Sequence, residues 1–344
     1  MSLVSTLKKK NKKQLFTTPS HAGKIAILHK FYQWYRSDIS EVDAYNPVEA
    51  LKTAEKRAAE IYGVKSTSFL TNGSTSGVIT AVLASVKKDE TVLIWNMSHP
   101  CHRNACILAG AKIAEYELPY NIEWGVYEGL TADIAEKYIK KHKPAAIIVT
   151  SPSYEGLVSD IKEISLVCKK NGVALIVDEA HGALYPFSEK LPESAIKYAD
   201  FVVQSLHKTA GGINPTALLH SNVDIDVKKY LNMITTTSPS YPMLATIEAN
   251  INYLNSKKGK KKIDILISQI EELKNELANL EFFGDDITKI LIKKSGLSGF
   301  ELSEVLYTKY NIEDEKTNEK STLLLTGIGT TKEKLMQLKK LKSI

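Results

Sequence analysis

The chain has 344 residues, 43% of them hydrophobic, and carries a formal net charge of +6 at pH 7. This length and apolar content exclude a disordered protein and suffice for one large α/β core with a smaller domain. Most of the positive charge is lysine, and only three arginines occur, Arg36, Arg57 and Arg103. Because arginine does most of the bidentate reading of phosphates and bases, we predict no nucleic-acid partner.

The three cysteines, Cys101, Cys106 and Cys168, form neither a CxxC pair nor an even-numbered set. This pattern argues against a structural metal site and against a secreted disulfide scaffold, and it suits a reducing compartment. The basic N-terminus lacks the apolar segment of a signal peptide, and no run of about twenty apolar residues occurs. We therefore predict a cytoplasmic protein with no metal and no membrane contact.

Short apolar runs alternate with helical patterns over residues 66–220. The runs are mostly β-branched, as expected for strands buried on both faces, at 69–70, 91–95, 145–149, 173–177 and 201–204. Amphipathic patterns between them predict helices at 74–86, 102–109, 132–141 and 160–171. The last ends at Asn171-Gly172, which predicts a left-handed terminator. This alternation predicts a mostly parallel central sheet covered by helices.

The pattern changes after Pro239. A helix at 243–254, a lysine-rich turn at 257–262 and a helix at 263–280 precede an α+β pattern that contains strands at 286–292 and 321–325. We interpret the chain as an N-terminal arm (1–45), a large domain (46–245) and a smaller C-terminal domain (246–344).

Polar segments follow the predicted strands, at the edge where an open α/β sheet holds its ligand. Thr71–Gly77 combines glycines with hydroxyls at the start of a helix, which is a cradle for a phosphate or simply a helix cap. His99 can stack over an aromatic cofactor or cap a helix. Asp178 ends a buried strand and needs a cationic partner, whether a ligand or a side chain.

Lys208 lies in the last of these segments, Ser205-Leu-His-Lys-Thr209. A lysine amine can form a Schiff base with an aldehyde cofactor, and an aspartate can keep a pyridinium nitrogen protonated. Lys208 and Asp178 at the ends of two apolar strands are what a pyridoxal phosphate enzyme requires. A surface lysine is the alternative interpretation.

The order of these segments is that of fold-type I pyridoxal phosphate enzymes, and the chain more narrowly resembles the Orn/Lys/Arg decarboxylase family. The resemblance extends over residues 17–335. It rests on eight segments: Asp38-Ile-Ser-Glu41, Thr71-Asn-Gly-Ser-Thr75, Thr150-Ser-Pro-Ser-Tyr-Glu-Gly156, Val177-Asp-Glu-Ala-His-Gly-Ala183, Leu191-Pro192, Gln204-Ser-Leu-His-Lys-Thr209, Leu219-His220 and Thr237-Ser-Pro-Ser-Tyr241.

The resemblance implies a role for each candidate site residue. Lys208 would hold pyridoxal 5'-phosphate as a Schiff base, and Asp178 would pair with its ring nitrogen. His99 would stack on the ring, and His181 would lie near the ring edge or the substrate. The phosphate would be bound by Ser74, Thr75, Ser205 and His207. Cys101, His181 and the released Lys208 are the candidate acids that return a proton to Cα.

Several segments depart from the family pattern. His99-Pro100-Cys101 stands where the family has His-Lys-Ser, and Glu155 stands where a tyrosine is expected. The segment Ala210–Pro215 and the N-terminal Pro19-Ser20-His21-Ala22 also differ. We further expect the family's extra C-terminal domain to be absent.

The scarcity of arginine helps to choose among reactions. Aminotransferases of this fold generally hold the substrate carboxylate near the ring plane with a small-domain arginine, and no arginine follows Arg103. Decarboxylation needs the breaking bond perpendicular to the ring, so the absence favours it, although a lysine or backbone amides could substitute. A basic substrate also needs an acid in its site, for which Glu41, Asp43 and Glu155 are candidates.

We therefore predict a homodimeric lyase of polyamine biosynthesis that decarboxylates lysine, ornithine or arginine with pyridoxal phosphate. An aminotransferase or a β-eliminating lyase on the same fold is the alternative among enzymes. From another class, the changes at Pro100, Cys101 and Glu155 leave open a non-catalytic regulatory protein that binds pyridoxal phosphate.

Overall fold

The computed structural model describes residues 14–16, 50–237 and 239–343. The strands in these ranges are β1 (Gln14–Leu15), β2 (Ser66–Leu70), β3 (Thr91–Trp95), β4 (Lys112–Tyr116), β5 (Tyr120–Asn121), β6 (Val126–Tyr127), β7 (Ala146–Thr150), β8 (Ala174–Asp178), β9 (Phe201–Ser205), β10 (Ala217–Ser221), β11 (Glu281–Phe283), β12 (Lys289–Lys293), β13 (Ile312–Glu313), β14 (Lys316–Thr317) and β15 (Thr322–Leu325). The α-helices are α1 (Ala50–Tyr62), α2 (Gly73–Ser85), α3 (Pro100–Leu108), α4 (Ala132–His142), α5 (Ile161–Asn171), α6 (Val227–Leu231), α7 (Tyr241–Asn255), α8 (Lys257–Glu276), α9 (Gly299–Lys309) and α10 (Lys332–Leu338).

A seven-stranded sheet in the order β2-β10-β9-β8-β7-β3-β4 forms the centre of the fold. The strands from β9 to β4 are parallel to their neighbours, whereas β10 is antiparallel to both β9 and β2. The carboxyl ends of β2, β3, β7, β8 and β9 therefore lie at one edge. This mostly parallel sheet, covered by helices, confirms the predicted α/β class.

The sheet is buried on both faces because its strands are apolar at successive positions. In β7, Ile147 and Val149 belong to one core cluster and Ile148 belongs to the other. Helix α2 approaches one face very closely at Gly77. A Cβ atom there would lie 2.7 Å from Val203 Cγ1 and 2.9 Å from Leu70 Cδ1, so glycine sets this helix-to-sheet distance.

The predicted elements of the large domain are confirmed to within a few residues at their ends. Helix α5 ends as predicted, because Gly172 adopts a φ of +66°. The predicted lysine-rich turn at 257–262 is wrong. These residues form the first turns of α8, because Ser256 Oγ accepts a hydrogen bond from Gly259 N at 3.0 Å and so starts the helix before the lysines.

A smaller antiparallel sheet, β11-β12-β15-β14, lies in the C-terminal part of the chain. Its core includes residues of α8 to α10 and also Phe16, next to β1, which pairs with β13. The predicted boundary at 245–246 falls inside α7, and Ile247 and Ile251 of that helix pack in the core of the large sheet. We therefore propose that α7 belongs to the large domain. Of the predicted arm, only residues 14–16 lie within the described ranges.

Among the helices that the structure describes, none combines the length and apolar character needed to cross a lipid bilayer.

Candidate functional site

Asp178 and Lys208 lie beside each other at the carboxyl edge of the central sheet. Asp178 is the last residue of β8, and β9, which is paired with β8, leads directly into a single π-helical turn, Leu206–Ala210, that contains Lys208. Gly211 ends this turn with a φ of +83°. A Cβ atom on Gly212 would lie 2.5 Å from Thr216 Oγ1, so the two glycines allow the chain to fold back tightly after the lysine.

Asp178 is buried, with 6% of its surface exposed. Its Oδ2 accepts a hydrogen bond from His102 Nε2 at 2.9 Å, and its Oδ1 accepts one from Ala180 N at 3.1 Å. Burial by itself raises the pKa of Asp178, but the hydrogen bond and charge of His102, together with Lys208, outweigh burial and leave the pKa below its ordinary value. The carboxylate is therefore ionised at neutral pH, as a pyridinium partner must be.

His102 is a site residue that the sequence analysis misses. It is fully buried on α3, one turn after His99, and its Nε2 donates the hydrogen bond to Asp178 Oδ2. The available signal was the three-residue spacing of His99 and His102, which places both on one face of a helix. Nothing in the sequence showed that this face meets the end of β8.

Replacing His102 with phenylalanine should weaken cofactor binding about tenfold, because a charge-assisted hydrogen bond to Asp178 is lost while the ring volume is kept. The dissociation constant of pyridoxal phosphate, measured by absorbance titration, tests this expectation. His142→Phe is the matched control, since His142 stacks on Tyr138 in α4. An unchanged dissociation constant in a folded His102 variant would contradict the role of His102.

Lys208 and His181 form a polar pair. Lys208 Nζ lies 3.0 Å from His181 Nε2. Burial, followed by the charges of Lys208 and Lys289, lowers the pKa of His181 well below its ordinary value, so the ring is neutral and its Nε2 accepts a hydrogen bond from the lysine. Burial also lowers the pKa of Lys208, against the opposing charge of Asp178. A lowered pKa increases the fraction of unprotonated amine, the form that attacks a carbonyl.

The predicted phosphate ligands come from two sides of this edge. Ser74 and Thr75 lie in the first turn of α2, where backbone N–H groups have no acceptor within the helix and can bind an anion. On the other side, His207 Nδ1 lies 3.2 Å from Thr216 O and donates to it. Ser205 Oγ is buried and has no hydrogen-bond partner among the described residues, as is also true of Thr209 Oγ1. A hydrogen-bonding group of a ligand that reached either hydroxyl would satisfy it.

His99 and Cys101 begin helix α3. The ring of His99 caps the helix, because its Nδ1 accepts a hydrogen bond from Cys101 N at 3.2 Å, and the exposed side chain lines the cavity beside the site. Burial raises the pKa of Cys101 to about 12, so its sulfur is a thiol rather than a thiolate at neutral pH. The Cys101 sulfur, a nitrogen of His102 and an oxygen of Asp178 lie within 4.8 Å of one another.

These residues fit pyridoxal phosphate. An ionised aspartate suits the ring nitrogen, and a lysine with a lowered pKa suits the aldehyde. Buried hydroxyls without a hydrogen-bond partner among the described residues suit the phosphate. The structure brings Asp178, Lys208, His181, Cys101 and Ser205 to one edge of the sheet.

Glu179 follows Asp178 but points into a separate buried network. It accepts hydrogen bonds from Ser194 Oγ at 2.7 Å, Ala195 N at 2.7 Å and Gln204 Nε2 at 2.6 Å. Burial outweighs these three donors and raises the pKa of Glu179 to about 7. The folded protein therefore keeps a proton on Glu179 over a pH range in which the unfolded chain has released it.

This raised pKa predicts a pH-dependent stability. Because the folded state binds one more proton between pH 4.5 and pH 7, the free energy of unfolding should fall by about 3 kcal/mol as the pH rises through that window, and level off above it. Glu179→Gln should remove this contribution, whereas the exposed Glu189→Gln should keep it. Urea unfolding at a series of pH values gives both slopes, and identical slopes for the two variants would contradict the assignment.

A buried ion pair between Lys289 and Asp286, next to the small sheet, contacts the segment that carries His181. Lys289 Nζ donates to Asp286 Oδ2 at 2.8 Å and to the backbone oxygen of His181 at 3.1 Å. Asp286 Oδ2 also accepts a hydrogen bond from Tyr185 OH at 2.9 Å. Both charged side chains are fully buried. The segment that carries His181 is thus held directly by residues near the start of β12.

A cavity of about 490 Å³ opens beside the site, and its lining includes His99, Thr150, Tyr154 and Glu155. Glu155, an acid expected to receive a basic substrate, is paired here with Lys316 Nζ at 2.6 Å. Its charge is therefore already balanced by a lysine of β14. The other two candidate acids, Glu41 and Asp43, lie outside the described residues.

Comparison with known families gives a match to "Orn/Lys/Arg decarboxylase, major domain" over residues 3–294. Among curated proteins, the chain is 29% identical over 317 residues to the uncharacterized protein YaaO of Bacillus subtilis, covering 85% of this chain and 65% of that one. It is 27% identical over 311 residues to an arginine decarboxylase of Bacillus anthracis, covering 84% of this chain and 63% of that one. The chain thus spans just under two thirds of the length of these relatives.

Solved structures show the same fold. The lysine decarboxylase LdcF of Francisella novicida superposes with a TM-score of 0.78 at 19% identity, covering 93% of this chain and 55% of that one. A ureidoglycine–glyoxylate aminotransferase of Bacillus subtilis gives a TM-score of 0.70 at 14% identity, covering 96% and 92%. Both confirm the fold-type I architecture. With the family match over most of its length, the chain belongs to the Orn/Lys/Arg decarboxylase family.

Proposed function

We propose that the protein decarboxylates a basic amino acid, with pyridoxal phosphate held by Lys208. The observation that carries this proposal is the pairing of an ionised Asp178 with a Lys208 of lowered pKa at the ends of neighbouring strands. Family membership and relatives named as arginine, ornithine and lysine decarboxylases support it.

Pyridoxal phosphate, when bound, supplies a ring that accepts the electron pair left on Cα as carbon dioxide departs. Asp178 would place its negative charge beside the ring nitrogen, and His102 holds Asp178 by a hydrogen bond. Ser74, Thr75, Ser205 and His207 would hold the phosphate, and His99 would stack on the ring.

We also propose the groups that carry protons. His181 Nε2 is neutral and 3.0 Å from Lys208 Nζ, so this pair can hold a proton at the lysine and exchange it with the histidine. The Cys101 sulfur also keeps its proton at neutral pH. We propose that one of these three groups, Lys208, His181 or Cys101, returns the proton to Cα.

One observation supports transamination as a second candidate. Lys316 of β14 lines the cavity beside the site, and a lysine there can hold a substrate carboxylate in place of the arginine that aminotransferases use. The pairing of Lys316 with Glu155 argues against this role, because the cation already has a carboxylate partner.

The experiment that separates these functions is product analysis. Purified protein loaded with pyridoxal phosphate is incubated with carboxyl-labelled lysine, ornithine or arginine, with and without an added α-keto acid. Decarboxylation predicts equal amounts of labelled carbon dioxide and of the corresponding amine, independent of the keto acid. A keto-acid-dependent product would favour transamination, and cofactor binding without turnover would favour a regulatory protein.

We also propose that the protein is cytoplasmic and forms a homodimer. Sedimentation of the same preparation tests the oligomeric state.

A further inference from the structure

Three aromatic rings form part of the wall of the cavity beside the site. Trp95 ends β3, and Tyr120 and Tyr127 are paired across the β5–β6 hairpin. The Trp95 and Tyr127 ring centroids are 5.2 Å apart at 71°, and those of Tyr120 and Tyr127 are 4.9 Å apart at 61°. We refer to Trp95, Tyr120 and Tyr127 as the aromatic cage. All three rings line the cavity, and the π face of an aromatic ring attracts a cation.

Glu128 lies next to the aromatic cage and lines the same cavity. Its backbone N donates to Pro119 O at 2.9 Å, and its Oε1 accepts a hydrogen bond from Asn121 Nδ2 at 2.8 Å. The hairpin therefore holds Glu128 by one hydrogen bond of its main chain and one of its side chain. No lysine, arginine or histidine within the described ranges forms an ion pair with it.

Within residues 14–16, 50–237 and 239–343, the charged side chains along the cavity leave one negative charge without a counterion. Glu155 is balanced by Lys316 at 2.6 Å. Desolvation lowers the pKa of His99, so that ring is neutral at pH 7. Among the described residues with charged side chains that line the cavity, Glu128 is the one without an ion-pair partner. The cavity is thus complementary to a ligand group that carries a single positive charge.

The cavity lies beside the proposed catalytic residues. Tyr154 and His99 belong to its lining. The Tyr154 ring centroid lies 4.5 Å from that of His181 and 6.0 Å from Lys208 Nζ. A substrate attached near Lys208 can therefore extend its side chain past Tyr154 into this space.

We propose that the aromatic cage and Glu128 bind the distal guanidinium group of the substrate. A guanidinium is planar and weakly hydrated, so it can lie against aromatic rings while it donates to a carboxylate. A neutral group of the same shape would leave the charge of Glu128 unbalanced. The identification of the ligand as a substrate rests on the proposed decarboxylase function, whereas the affinity for a guanidinium group does not.

Binding of n-butylguanidinium tests the site without turnover. Isothermal titration of the protein loaded with pyridoxal phosphate compares this cation with N-butylurea, its neutral isostere. We expect the wild-type protein to bind the cation about tenfold or more tightly than the urea, and Glu128→Gln to remove that difference. Glutamine still accepts the hydrogen bond of Asn121, so the hairpin should be retained. Glu117→Gln, an exposed position on the same edge of the sheet, is the matched control.

Tyr127→Leu is a second variant, because it removes a cage ring and keeps the carboxylate. It should weaken binding of the cation more than that of the urea. If Glu128→Gln and Tyr127→Leu both bind n-butylguanidinium as tightly as the wild type does, the inference is wrong. Equal binding of the cation and the urea by the wild-type protein would also overturn it.

Steady-state kinetics with arginine separate this inference from the proposed function. The inference predicts that Glu128→Gln raises KM about tenfold and changes kcat little. If arginine is decarboxylated with the same KM by both proteins, the cage inference fails and the function stands. If binding depends on Glu128 but no amine forms from arginine, lysine or ornithine, the function fails and the guanidinium site stands.

Discussion

Lys208→Ala is expected to abolish decarboxylation, with a loss of at least ~10³-fold in kcat/KM, because the variant lacks both the covalent attachment point and a proton carrier. The amine of Lys208 lies 3.0 Å from His181 Nε2, and no other lysine in the described part of the chain contacts that nitrogen. Covalent attachment is measured directly. Borohydride reduction followed by peptide mass spectrometry should place the cofactor on Lys208 in the wild type and nowhere in the variant.

Lys190→Ala is the control for this experiment, since Lys190 is exposed on the same domain. It should retain both the reduced cofactor and the activity. Thermal unfolding should show that Lys208→Ala is folded. A Lys208 variant that keeps its activity, or a cofactor found on a different lysine, would contradict the assignment.

Asp178→Asn should lower kcat by about 10²-fold to 10³-fold while the protein still binds the cofactor. The substitution keeps the shape of the side chain and removes the charge that, under the proposed function, would pair with the ring nitrogen. His102 Nε2 now donates to Asp178 Oδ2 at 2.9 Å, and an amide oxygen can accept the same hydrogen bond, so the local packing should be retained. Kinetics and cofactor titration of the same preparation separate catalysis from binding.

The control for Asp178 is Asp224→Asn, at an exposed aspartate. Near-normal turnover of Asp178→Asn would make Asp178 a structural residue that serves His102 rather than the cofactor. If Asp178→Asn loses cofactor binding in proportion to activity, the role of Asp178 is to bind the cofactor rather than to promote the reaction.

The sequence was sufficient to predict the sheet and the edge that carries the site. Strands such as Ile147–Val149 are apolar on both faces, which is typical of a parallel sheet covered by helices on both sides. Parallel strands also place their carboxyl ends at the same edge. Asp178 and Lys208 were therefore predicted to be neighbours from local pattern and topology. The edge strand β4 was missed because its exposed positions alternate with buried ones and carry charged residues.

The partners of these residues depend on contacts between distant parts of the chain. His102 meets Asp178 across 76 positions, and Lys289 meets His181 across 108. A lysine at position 289 inside a strand pattern resembles any solvated lysine, and its burial appears only when Asp286 and the carbonyl of His181 are placed around it. The same holds for Glu128, whose charge is significant because Lys316 neutralises Glu155 instead.

The buried pair of Asp286 and Lys289 has a consequence for how the site is made on the ribosome. The backbone oxygen of His181 and the hydroxyl of Tyr185 are synthesised about a hundred residues before their partners. N-terminal parts of a chain generally fold first during translation. The segment carrying His181 therefore reaches its final hydrogen bonding only after Lys289 has emerged from the exit tunnel. The nascent large sheet already contains Lys208 and Asp178, but the site is completed only when Asp286 and Lys289 join it.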